Sequence, residues 1–437
     1  MFINKILPSL KTSVILFIIL TLFMSCIFYF KRDVSFDIFS EAGILSIINV
    51  AKHNINNEGI KYGIRLMFET GHVQNPGVHI KDTYRIYEDA SLYGSMIPYN
   101  SQIGLHGWLF YIFTKYIYKN SLSILRIICC LLLSLILTLI CYELYKKYGI
   151  LLSLSFYIVS ISSSWLRNFS TNLYFVIFTY FIPMLLGLLC LNNLKKRARF
   201  YLLFFIIILI KSACGYEYLP VIMLSSIMFL LVELINYFFK KDIKQSKLLL
   251  KTIFYIGFYS LLGFASAFII HSYMRGDGNI LAGIKSIYHY DALRRTVGIG
   301  GVGGETPDGL NISTLNILWI YLNNYTTGRY SLILLVLFLL CILIDKLKNL
   351  HYILNKDLYL FIVSFITCIS WFILGKQHSF IHTHINYVLW YMGFIQIGTY
   401  VILKFIFKIC YYNHRDKLLT IGKTFIYELR EDIIKKD

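Results

Sequence analysis

Asp37 and Glu41 stand four residues apart, so a helix brings both carboxylates to one face. That pairing suits a general base with a supporting acid, and it suits equally a solvated helical face. Arg167, in the run Trp165-Leu166-Arg167-Asn168-Phe169-Ser170, offers a planar fork for a phosphate. The other reading is an arginine that caps a hairpin by snorkelling to a membrane interface. His378 and His382 have the i, i+4 spacing of a helical metal pair, and His384 adds a third imidazole. A divalent metal is one reading, but nothing in the sequence completes such a site, and no cofactor is expected. Hydrogen bonding to a phosphate or sugar, or within the fold, are the others. Glu217 lies near Lys211 and reads either as a substrate contact or as half of a structural pair. The cluster Gly298, Gly300, Gly301, Gly303 and Gly304 has no following Gly-Lys-Ser/Thr and no flanking strand, so it reads as a loop moving over a site rather than a phosphate cradle.

The elements that must carry these residues are set by composition. The chain has 437 residues, 57% hydrophobic and 15% charged, with aromatic residues at 17% and a mean hydropathy of +0.64. Soluble domains hold roughly 45–50% apolar and roughly 25% charged residues, so a soluble fold is excluded. Disorder is excluded as well. The apolar runs approach the roughly 20 residues of a bilayer-spanning helix and lack the alternation of a barrel strand. The expected fold is all-α, a polytopic transmembrane helical bundle. The net charge of +19 sits in short Lys and Arg clusters between apolar runs, where it signals topology and not nucleic acid. The nine cysteines lie in or at the ends of apolar runs, so no disulfide framework is implied.

About ten spans are expected, over 13–30, 121–142, 149–164, 173–191, 200–213, 219–239, 250–271, 329–345, 357–374 and 385–407. With both termini cytoplasmic, the inner segments 1–12, 143–148, 192–199, 240–249 and 345–356 carry fifteen Lys and Arg, and the tail from Lys404 adds eight. The short outer connections at 165–172, 214–218 and 375–384 contain only Arg167 and Lys376, the sign that the positive-inside rule requires. The first run, Ser13 to Phe30, lacks a small-residue cleavage site and reads as a retained anchor. Residues 103–118 are apolar but short and hold Gly104, His106, Gly107 and Lys115, so they read as an interfacial or re-entrant helix. The chain then divides into an anchor (1–30), an extracytoplasmic loop with interfacial helices (31–120), six spans (121–271), a second, glycine-rich extracytoplasmic loop (272–328), three spans (329–407) and an amphipathic cytoplasmic tail (408–437). Within the first loop, Ile38 to Val50 reads as amphipathic.

Polar residues at membrane depth are costly, so where they gather is informative. Here they collect on the outer side. Asp37 and Glu41 follow the first span; Tyr99, Gln102 and His106 lead into the interfacial helix. Arg167, Asn168 and Glu217 sit in short hairpins, Arg294, Arg295 and Arg329 in and after the second loop, and Lys376, His378, His382 and His384 between the last two spans. Such a mixture of acid, arginine and histidine suits a charged amphiphile better than a conduction path.

One span, a long outer loop opening with acidic residues, an interfacial helix and then many spans with outer Arg and His resembles the GT-C superfamily of integral membrane glycosyltransferases. Asp37 or Glu41 matches the place of that family's first-loop catalytic carboxylate, although its usual adjacent acidic pair is missing here. The resemblance implies transfer of a sugar from a polyprenyl-phosphate donor to a glycan or lipid acceptor, at the extracytoplasmic face of a bacterial inner membrane. The blocks Arg167-Asn168 with Asn172-Leu173-Tyr174, Cys214-Gly215-Tyr216-Glu217-Tyr218, and His378-Ser379 with His382-Thr383-His384-Ile385-Asn386-Tyr387 are also similar to blocks of uncharacterised inner-membrane proteins of surface-polysaccharide clusters. An O-antigen or capsule repeat-unit polymerase is the nearest alternative. A transporter or lipid flippase is the alternative of another class, and it predicts internal repeats and mid-span charges that the sequence lacks.

Overall fold

A computed structural model describes residues 10–33, 35–56, 61–74, 78–117, 120–296 and 312–413. Within them the chain is nearly all helical. Six helices are long and apolar enough to cross a membrane: α1 (Leu10–Phe30, apolar from Ser13), α5 (Ser121–Tyr148), α10 (Leu219–Phe239), α11 (Ile243–Arg275), α15 (Tyr325–Leu347) and α16 (Asn355–Leu374). A seventh span results if α6 (Ile150–Ser162) and α7 (Ser164–Thr171) count as one, bent by 65°. Ser163 makes the break, its backbone extended and its hydroxyl accepting from the Leu166 amide at 3.1 Å to start α7. The remaining expected spans fall on α8 (Phe178–Asn192), α9 (Ala198–Cys214) and α18 (Phe394–Asn413). At 15 residues α8 rises only about 22 Å, less than a hydrocarbon core of about 30 Å.

Two kinds of long helix can be told apart by what covers them. α5, α10 and α16 are more than half buried among α8, α6 and α18 around Phe156, Phe181, Phe229 and Trp390. α1, α11 and α15 are only about a fifth buried. On α11 the uncovered side chains include Leu250, Phe254, Phe258 and Leu261. An apolar surface of that extent belongs against lipid tails.

Between α1 and α5 the chain builds a small subdomain. α2 (Ile38–His53) is covered by α3 (His79–Glu88), by strand β1 (Arg65–Glu69) and by α4 (Leu105–Ile117). The amphipathic expectation for Ile38 to Val50 is corrected here: every residue from Glu41 to Ala51 is buried, because neighbours cover the polar side as well. β1 pairs antiparallel with β2 (Tyr93–Pro98), Arg65 opposite Pro98 and Glu69 opposite Tyr93. This sheet is a departure from an all-α reading. Its strands are short, and the register shift at Phe68/Glu69 breaks the alternation that marks a strand in sequence. α4, at 13 residues, is too short to span. It docks through bare backbone: Gly107 lies so close to the Gly63 carbonyl that a Cβ has no room.

The second long loop folds as α12 (Ile280–Ile287), a wide helical turn Tyr288–Ala292, α13 (Leu293–Thr296) and α14 (Thr314–Asn323). The glycine cluster at 298–304, the tail from 414 to 437 and the side chain of Arg294 lie outside the described residues. α17 (Lys376–Ile381) lies between α16 and α18 and carries His378, with His382 and His384 in the turn that follows it.

Candidate functional site

Asp37 caps α2 in the left-handed conformation (φ 44°), its side chain accepting from the Ser40 amide. Asn172 fixes this turn from across the bundle, donating from Nδ2 to the carbonyls of Phe36 and Asp37 at 3.3 Å each. One Asp37 oxygen, Oδ2, is sealed from solvent without a hydrogen-bond partner among the described residues. Burial raises the Asp37 carboxyl above the usual carboxylate range, opposed by the Ser40 hydrogen bonds and by the charge of His384. Glu41, one turn on, is in the opposite condition. Arg126 donates from Nε to its Oε1 at 3.1 Å and from Nη2 to Oε2, Tyr84 donates to Oε2 at 3.1 Å, and the Leu173 amide donates to Oε1 at 3.3 Å. Both oxygens of this carboxylate are thus engaged by donors from three other segments.

A second polar group lies under the first. Tyr174 donates its hydroxyl to Glu217 Oε1 at 3.3 Å. Tyr174 also lies near enough to Asp37, Tyr99 and Arg295 to feel their charges. Burial and Glu217 push that hydroxyl well above its ordinary value, so it stays a donor. Burial lowers the Arg295 guanidinium, but Glu217 and Asp291 more than restore it, and its Nε is buried without a hydrogen-bond partner among the described residues. Asp291 is held by Arg275 Nη1 at 2.8 Å. Gln102 and His106 close the group from the 99–106 turn. Both are buried, and Gln102 has neither side-chain polar atom hydrogen-bonded among the described residues. Burial, aided by the Lys211 charge, drops the His106 imidazole to about 3, so it is neutral at physiological pH. Lys211 itself donates to the Gly215 carbonyl at 2.6 Å and lies over the Tyr180 ring.

Arg295 and Asp291 also line a cavity of about 580 Å³. Its other walls include Leu219, Met223, Leu261 and Phe264 from α10 and α11 and Trp371 from α16, so it is almost wholly apolar with charge supplied by Asp291 of the wide turn and Arg295 of α13. The size is that of a ligand site.

The hairpin blocks singled out in the sequence meet in space. Tyr218 donates to Asn386 Oδ1 at 2.7 Å, Asn386 donates to the Tyr321 hydroxyl at 2.8 Å, and Tyr321 donates to the Ser379 carbonyl at 2.7 Å. Trp165 stacks on Tyr387 and donates to Thr327 at 2.9 Å. The chain thus brings together Asp37, Tyr99, Gln102, His106, Glu217, Arg295 and His384. His378 and His382 pack ring to ring with centroids 4.4 Å apart, and His382 lies 5.7 Å from His384. Asn168 accepts from the Asp33 amide at 3.0 Å and secures the turn after α1. Arg167 is half-buried near Tyr391, its Nε without a hydrogen-bond partner among the described residues, Lys376 is half-buried, and Arg329 is exposed and caps the Asn323 carbonyl at 3.1 Å.

Sequence reasoning missed Arg126, Arg275 and His271. Arg126 lies among apolar residues of a span and could have been found as the cation that a buried Glu41 demands. His271 joins the Tyr216 hydroxyl at 3.1 Å and the Asn100 carbonyl at 3.0 Å, tying α11 to the first loop. Among the described residues, one group of three His, Asp or Glu side chains brings potential ligand atoms within 4.8 Å of one another, and it is Glu69, His72 and Asp82 rather than the 378–384 histidines. No protein-family model, curated protein or solved structure matches the chain.

Proposed function

We propose that the chain is an integral membrane glycosyltransferase that takes a sugar from a polyprenyl-phosphate donor and passes it to a glycan or lipid acceptor in surface polysaccharide or glycolipid assembly. The observations that carry this reading are the apolar cavity lined by Arg295 and Asp291 and, in the outer polar residues, a buried Asp37 oxygen with no hydrogen-bond partner among the described residues. An isoprenoid tail suits the α10–α11 walls, and its phosphate suits the Arg295 fork. In this mechanism Asp37 removes the acceptor hydroxyl proton while that oxygen attacks the anomeric carbon. The bond from that carbon to the phosphate oxygen breaks, and the lipid phosphate leaves with both electrons of the bond. The anomeric configuration inverts. Tyr174 and Glu217 orient the sugar, and Glu41 with Arg126 holds the α2 cap in place. The reading includes a bacterial inner-membrane location, about ten spans, cytoplasmic termini and the site at the extracytoplasmic face.

The test is incubation of the purified protein in lipid with a panel of polyprenyl-phosphate and polyprenyl-diphosphate sugars, following release of lipid phosphate by mass spectrometry. Release in the wild type and none in Asp37→Asn is the expected result. Consumption of a diphosphate-linked oligosaccharide with joining of repeat units would favour a polymerase. No release from any donor by folded protein would overturn the transferase in favour of transport.

A further inference from the structure

We propose that Glu69, His72 and Asp82 bind one divalent transition cation, for which zinc is the probe, and that this ion staples the subdomain between α1 and α5. The inference is independent of the transferase reading. The three residues converge from the end of β1, the turn after it and α3. Asp82 is almost wholly buried, its Oδ2 accepting from the Glu69 amide at 3.1 Å, and His72 Nδ1 lies 3.0 Å from both Asp82 oxygens. Two ligands each about 2.1 Å from an ion are about 3.0 Å apart at right angles and about 3.4 Å apart in a tetrahedral site, so a 3.0 Å spacing needs only a few tenths of an ångström of adjustment to become shared coordination.

Glu69 supplies the independent observation. Its side chain is only 7% exposed, and Arg85 meets Oε2 at 3.0 Å. The other oxygen, Oε1, is buried and has no hydrogen-bond partner among the described residues. A buried carboxylate oxygen without a donor is costly, and a cation removes the cost. The fold goes out of its way to aim this side chain. Glu69 follows a bulge in which β2 carries the extra residue Gly94, where a Cβ would come within 2.6 Å of the Thr70 amide nitrogen. Gly71, at φ 81°, then turns the chain so that His72 faces back.

One imidazole nitrogen with two carboxylate oxygens is a zinc or manganese donor set, whereas calcium and magnesium prefer oxygen alone. His72 is the exposed member, with 41% of its side chain open, which leaves a route and a coordination position for water. The subdomain has use for a staple. Its sheet has two strands, the cluster under it comprises Val50, Met67 and Ile86, and no cysteine falls between residues 31 and 120 to make a disulfide.

The experiment is a zinc titration of the chelator-stripped full chain in nanodiscs against a chromophoric chelator, with hydrogen exchange of residues 65–88 as a second readout. The wild type should bind one ion and gain exchange protection. His72→Ala, on an exposed turn, and the isosteric Glu69→Gln should each weaken binding at least tenfold and lose the protection. A double variant His378→Ala, His382→Ala should keep both. A wild type that takes up no zinc, equal uptake by His72→Ala, or loss of uptake in the 378/382 variant overturns the site and leaves Asp82 and His72 as a simple hydrogen-bonded pair.

Discussion

Arg126 and Glu41, 85 residues apart in sequence, form a two-point ion pair between the first long inner helix and the helix that follows Asp37. Both side chains are largely buried. Removing one partner of a buried pair costs about 3–5 kcal/mol, and Glu41→Gln keeps the shape, so a loss near about 3 kcal/mol is expected. Asp37→Asn should act in the reverse sense, with activity abolished and stability kept. Thermal unfolding and turnover measured together distinguish the two; equal loss of activity at equal stability would return Glu41 to the catalytic role.

The Asp37 carboxyl also predicts a pH profile. Burial raises its pKa, so the base is ionised only above the ordinary carboxylate value of about 3.9, and kcat/KM should fall on the acid side at a pH above that value. The linkage sign is opposite. A carboxyl raised in the folded state adds stability at low pH that is lost as pH rises through the raised value, so Asp37→Asn should be no less stable than wild type at neutral pH. Turnover by Asp37→Asn with the same acid limb, against the loss expected, would assign that limb to another group.

Arg295→Lys tests the cavity. A lysine keeps the charge but not the fork, so a phosphate held at two points should be lost by roughly tenfold or more in affinity. Arg295→Gln should lose more. Donor KM should rise in both, and a change confined to kcat would place the phosphate elsewhere.

Much of this was legible in the sequence, for identifiable reasons. Long apolar runs need no partner to declare themselves, so α5, α10, α11, α15 and α16 appear near their expected places. The blocks around Arg167, Glu217 and His378 stood out because polar residues are rare between such runs. What stayed hidden depends on pairing across distance. Glu41 looks like a catalytic acid until Arg126 arrives from a helix whose sequence is apolar, and α2 looks amphipathic until α3 and α4 cover it. The bulged sheet has no period to detect.

His106 carries an acid-side stability prediction. Its imidazole is held neutral down to about 3 by burial and by Lys211, against about 6.5 in an unfolded chain. A histidine lowered by folding contributes stability above its unfolded value that is lost as pH falls through the window toward about 3. The slope for one proton is at most about 1.4 kcal/mol per pH unit. His106→Gln should flatten the decline in melting temperature between pH 6 and the onset of acid unfolding. An unchanged slope would mean that other groups set the acid limit.

Gly215 offers a way to disturb the polar group without touching its members. Its φ of 172° is ordinary extended backbone, so alanine brings no strain of conformation. A Cβ there would nonetheless collide with Glu217 Oε2 and come within 2.5 Å of Gln102 Oε1. Both are ends of flexible side chains that can swing aside, so the fold should survive with a loss of about 1–3 kcal/mol. The displaced Glu217 then no longer meets the Tyr174 hydroxyl or balances Arg295. Gly215→Ala should therefore reduce turnover at least tenfold while the melting temperature falls only modestly. Gly107→Ala is the contrasting case, since its Cβ would strike the fixed Gly63 carbonyl, and that variant should lose folded protein first. If Gly215→Ala keeps full activity, Glu217 and Gln102 do not position the substrate.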